Sequence, residues 1–105
     1  GLLKKSFDIT KYTLHGVGHH IGLDTHDAVA NKKIGKSDFD RLFVGNIITV
    51  EPGLYFPEDA KEIPVRYRKI GVRIKDDVLV TKNGCEILSD SLPKQIEDIE
   101  FLMQK

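Results

Sequence analysis

The sequence contains a single cysteine, Cys85, a single methionine and no tryptophan, and aromatic residues make up only 8% of its 105 positions. One cysteine excludes an internal disulfide framework and is compatible with a reducing, cytoplasmic setting. The chain also has no net charge, with 16 Lys plus Arg against 16 Asp plus Glu. It therefore presents no global attraction to nucleic acid or to an anionic membrane, and neither is expected as a partner. Long apolar runs are missing too: Ile47-Ile48 and Val78-Leu79-Val80 are far short of the ~18 residues a membrane span needs, and Gly1-Leu-Leu-Lys-Lys leads into no signal core. With 40% hydrophobic and 30% charged residues, the remainder is ordinary globular composition, enough for one small domain over residues 1–105 with a modest core.

Residues Gly1 to Thr13 are too polar for a periodic element and predict mostly loop. Gly16, Gly18 and Gly22 make Tyr12 to Leu23 a poor helix, so extended chain and turns are expected there. Asp24 to Phe43 predicts a polar excursion. Asn46 to Glu51 is a short β-branched strand halted by Pro52-Gly53, and Pro57 to Arg68 is a second polar loop. Strands follow at Ile70–Ile74 and Asp77–Thr81; Lys82-Asn83-Gly84 turns the chain into a returning strand, Cys85–Leu88. The end predicts a helix capped by Ser91, with Pro93 in its first turn and a buried stripe of Ile96, Ile99, Leu102 and Met103. Strands followed by a helix argue for an α+β fold.

Chemistry concentrates in two places. All four histidines, His15, His19, His20 and His26, fall within twelve residues, among glycines and beside Asp24 and Asp27. A lone histidine is usually a surface or satisfied core side chain, but such crowding favours a site. On an extended chain His15 and His19 share a face and can line one site, whereas His20 points away and reads as a structural or rim residue. His26 can rejoin the others after a turn at Gly22. The second place is Glu51, a carboxylate closing an apolar strand, which must meet a cation, a donor or water if it is buried. Arg73 has the parity of Lys75 and Asp77, and from pattern alone the three predict a solvated hairpin face.

Three motifs, His15-Gly-Val-Gly-His-His-Ile-Gly-Leu-Asp-Thr-His-Asp, Ile48-Thr-Val-Glu-Pro-Gly-Leu-Tyr55 and Gly71-Val-Arg-Ile-Lys-Asp-Asp-Val-Leu-Val, resemble in order and spacing the C-terminal part of the catalytic domain of aminopeptidase P. That family of Xaa-Pro aminopeptidases belongs to the pita-bread metallopeptidases. The resemblance implies the C-terminal half of a pita-bread fold, an antiparallel sheet with a C-terminal helix, as a fragment of a longer enzyme inactive by itself. It implies hydrolysis of an N-terminal residue preceding proline, with two divalent ions, manganese being expected, and a peptide with proline in second position as substrate. By position His19 and Glu51 are implied as metal ligands, with Glu51 also a proton shuttle. His15 and His26 are implied to contact substrate or the tetrahedral intermediate, and Arg73 and Tyr55 to support the site. Where the pattern carries its last ligand glutamate, after Gly71-Val-Arg-Ile, this sequence has Lys75. Asp76 points to the opposite face, and Asp77 lies two residues further along. Lys75 therefore favours an alternative, a non-catalytic pita-bread module that binds peptide or protein. Loss of half a fold would also uncover apolar surface, so self-association into a homo-oligomer is expected.

Overall fold

The computed structural model describes residues 8–27 and 41–104. The expected loop over residues 1–7 and most of the polar excursion, residues 28–40, lie outside the described residues. The elements are helix α1 (Asp8–Tyr12), strands β1 (His20–Ile21), β2 (Ile47–Val50), β3 (Gly53–Phe56), β4 (Ile70–Arg73), β5 (Asp76–Thr81) and β6 (Gly84–Ile87), and helix α2 (Ile96–Met103). No described helix is long and apolar enough to cross a membrane. The chain divides into two compact units, Gly1–Gly18 with Glu51–Lys75 and His19–Val50 with Asp76–Lys105.

In the first unit β3 and β4 pair antiparallel, with Gly53 opposite Arg73 and Tyr55 opposite Gly71. The expected stop at Pro52-Gly53 is a pause: β2 ends at Val50, and Gly53 opens a strand that local pattern does not predict. Its core is Tyr12, Phe56, Ala60 and Ile63, with Tyr67 packed against it, and the Tyr12 and Phe56 rings meet edge-on at 5.1 Å. This core corrects two expectations. Residues 8–12 form a helix instead of a loop because Tyr12 is buried there, which outweighs the weak local propensity of a polar segment. The Pro57 to Arg68 segment is free of strands as expected, but its turns, closed by Ile63 N–H to Ala60 carbonyl (3.0 Å) and Tyr67 N–H to Pro64 carbonyl (2.9 Å), carry Ala60 and Ile63 inward.

The second unit is a four-stranded antiparallel sheet in the order β1-β2-β5-β6. His20 faces Ile48, Ile47 faces Leu79 and Val80 faces Cys85. The β5–β6 hairpin stands within one residue of its expected bounds, with Cys85 exposed on β6. The helix exists, but its expected start does not hold. Asp76 accepts from Ser89 Oγ (2.6 Å) and Lys94 Nζ (2.8 Å), and Lys94 also donates to the Ser89 carbonyl (2.9 Å). These bonds pin residues 89–94 to β5, so α2 begins only after Gln95, and neither Ser91 nor Pro93 takes part in its first turn. No residue of α2 is buried, and Ile96, Ile99, Leu102 and Met103 are all exposed. Periodicity reports which face can be buried, and the described residues supply nothing that buries this one.

Candidate active-site residues

In the first unit, the strand period of two sets Glu51, Gly53 and Tyr55 on one face with Gly71 and Arg73 of β4. The glycines make room on that face. A Cβ on Gly71 would lie 2.7 Å from Tyr55 Cδ1 and one on Gly53 2.8 Å from Tyr55 Oη, so only glycine lets the ring lie flat across both strands. So placed, the Tyr55 hydroxyl reaches His15 Nε2 at 2.7 Å, and the rings meet edge-on at 5.5 Å. The other nitrogen, Nδ1, lies 2.7 Å from the Gly16 carbonyl, which can only accept. Neutral His15 therefore carries its proton on Nδ1, and Tyr55 donates to Nε2. Beside them a pocket of about 380 Å³ is bounded by Leu14, Tyr55, Phe56 and Gly71 among others.

Glu51 is 7% exposed. Its Oε2 lies 3.4 Å from Arg73 Nη1, and its N–H bonds the Val17 carbonyl at 2.7 Å. The need for a partner was legible in the sequence; the partner was not. Arg73 closes β4, whereas Asp77 belongs to β5 of the other sheet. The expected face running through Arg73, Lys75 and Asp77 is divided, because the strand ends between them; Arg73 and Lys75 are exposed, as a solvated face requires, and Arg73 also pairs with Glu51.

In the second unit His20 is buried on β1, as its structural reading requires. His19 is set by Thr49, a buried residue outside the candidates that sequence pattern offers. The His19 N–H donates to Thr49 Oγ1 (2.9 Å), and the Thr49 N–H donates to the His19 carbonyl (2.8 Å). A polar residue amid the apolar run Ile47-Ile48-Thr49-Val50 was the available signal. The His19 ring donates from Nδ1 to the His20 carbonyl (3.0 Å), which leaves Nε2 as the unprotonated nitrogen of the neutral ring, the form a metal ligand needs. His26 does return to His19: their ring centroids are 4.0 Å apart. The turn that brings it back is closed by Gly22 N–H to Asp24 carbonyl (3.1 Å), Asp27 N–H to His20 carbonyl (3.2 Å) and Leu23 N–H to Asp27 Oδ2 (2.8 Å).

The structure thus joins His15 with Tyr55, Glu51 with Arg73 and His19 with His26, and residues 15–19 are not the extended strand that the expected shared face of His15 and His19 requires. Over residues 2–82 the sequence matches metallopeptidase family M24. The chain belongs to that family. It is 46% identical over 93 residues to the Xaa-Pro aminopeptidase of Haemophilus influenzae, covering 89% of this chain and 21% of that one, and 46% identical to human Xaa-Pro aminopeptidase 3, covering 86% and 17%. Among solved structures it is similar to Pseudomonas aeruginosa aminopeptidase PepP (TM-score 0.83, 39% identity) and to a glutamate-to-alanine variant of Escherichia coli aminopeptidase P in complex with substrate (TM-score 0.80, 39% identity). Each of these matches covers 98% of this chain and 24% of the solved one. The fold is accordingly the α+β pita-bread type, and the chain spans about a fifth of the length of the curated relatives it matches.

M24 enzymes are metallopeptidases, so the donors here can be tested against a metal. Among the described residues no group of three or more His, Cys, Asp or Glu could hold an ion. One imidazole, His19, and one carboxylate, Glu51, do not amount to a dinuclear donor set, which needs many more oxygens. The described residues by themselves do not supply a two-ion centre.

Proposed function

We propose that these 105 residues are the C-terminal part of the catalytic domain of an Xaa-Pro aminopeptidase, which removes an N-terminal residue that precedes proline. The observation that carries this reading is the buried Glu51 carboxylate oriented by Arg73, on the same face as Tyr55 and its partner His15. A carboxylate so held can take a proton from an attacking water and return it to the leaving amine. The His15 ring, fixed by Tyr55 and by the Gly16 carbonyl, offers a positioned group for the substrate or the tetrahedral intermediate. His26, packed on His19, is a further substrate-contact candidate in this reading. Manganese is the metal this reading expects, with most of its ligands supplied from outside the chain, so the isolated chain would be inactive. A cytoplasmic location belongs to the same reading, supported by the lone cysteine. Self-association belongs to it as well, supported by the exposed apolar residues of α2.

One residue favours a second reading. Lys75 stands where the resemblance implies a ligand carboxylate, which suits a module that binds proline-containing peptides without cutting them. The experiment incubates the full natural protein with manganese and a peptide carrying proline in second position, beside its Glu51→Gln variant. Turnover in the native protein and its loss in the variant is the expected result. Tight binding with no cleavage by either would replace the peptidase by the binding module.

A further inference from the structure

The face that carries Glu51 continues to Lys75. In the two-stranded sheet Gly53 stands opposite Arg73, and the ladder extends one step further through the Ile74 N–H to the Pro52 carbonyl (3.3 Å). In the four-stranded sheet Val50 stands opposite Asp76. Counting one residue on from either ladder brings Glu51 opposite Lys75. Side chains directly opposite in an antiparallel pair lie about 4.5–5.5 Å apart at Cβ, and opposite charges there attract. The buried carboxylate thus has the Arg73 guanidinium at 3.4 Å and an ammonium-bearing residue across the ladder. An arriving dication would meet the Arg73 guanidinium, a lysine at the register position opposite Glu51 and one carboxylate, among described residues that offer no three-donor group.

We propose that Lys75 acts as a built-in cation in place of one divalent ion, balancing Glu51 together with Arg73, so that the protein holds at most one metal ion per chain. This rests on the peptidase reading for the assignment of the position, but its test needs no turnover. The full natural protein and its Lys75→Glu variant are loaded with manganese, dialysed and assayed for metal by mass spectrometry. The native protein is expected to retain one ion or none, and the variant to retain one more. Two ions in the native protein, or no gain in the variant, would overturn the proposal. If Lys75→Glu does not fold, Lys75→Gln carries the test: removing the charge alone is expected to tighten manganese binding by about tenfold or more, since site charge tunes affinity, and an unchanged affinity would overturn the proposal. An ion gained by Lys75→Glu without any peptide cleavage would sustain this inference while removing the peptidase reading. Two ions in a native protein that cleaves would do the reverse.

Discussion

The two units fix their functional side chains by different means. In the first, side chains hold one another: Tyr55 holds His15, Arg73 holds Glu51, and two glycines clear the ground beneath the ring. In the second, backbone carbonyls and the buried Thr49 do the positioning, and the histidines inherit their placement from β1, β2 and a closed turn. The first arrangement is adjustable and exposed to single substitutions in the site itself. The second is bound up with the sheet, so that disturbing it costs fold stability as well.

The largest effect is expected at Glu51. Glu51→Gln keeps the size and removes the carboxylate proposed to carry the proton, and turnover of an Xaa-Pro peptide should fall by about 10²–10⁴ with little change in apparent substrate affinity. A variant as active as the native protein would show that the first unit's ion pair is structural only. Next is Gly71→Ala, whose added Cβ has to displace the Tyr55 ring and so release His15. Overpacking of this kind costs about 1–3 kcal/mol, read as a lower thermal midpoint, and activity should drop with it; an unaltered midpoint would mean that the ring has room to move.

Thr49→Val tests the other side of the comparison. It leaves the His19 N–H without its acceptor, at a cost of roughly 1–3 kcal/mol in denaturant unfolding, and a neutral outcome would locate the positioning of His19 elsewhere.

The smallest effect concerns acid. Hydrogen bonds from the Lys11 ammonium and then the Tyr12 hydroxyl hold the Glu62 carboxyl down to about 2 from an ordinary 4.5. A carboxyl depressed in the folded state contributes stability above about 4.5 and loses it as pH falls toward 2. Melting temperatures between these limits should fall less steeply for Glu62→Gln than for the native protein; parallel curves would show that these bonds carry no net weight on so exposed a side chain.

What could be read from the sequence follows the same division. The hairpin, the structural role of His20, the return of His26 and the need of Glu51 for a partner were legible because each rests on local pattern: alternation, turn residues, or one charge at a strand end. Helix α1, strand β3 and the inward turn of Ala60 and Ile63 were not. Each depends on burial around Tyr12 and Phe56, residues more than forty positions apart, and no local window contains that contact. Helix α2 shows the converse. Its stripe was correctly periodic, but the Asp76–Lys94 tether set where it begins, and periodicity carries no information about whether a partner is present.

Cleavage before proline is measured most directly by the mass of the products formed from two peptides that differ only in proline or alanine at the second position. With manganese present, the full natural protein is predicted to release the first residue alone, and from the proline peptide in strong preference. Cleavage at another bond, equal cleavage of both peptides, or intact peptide in both reactions would contradict it.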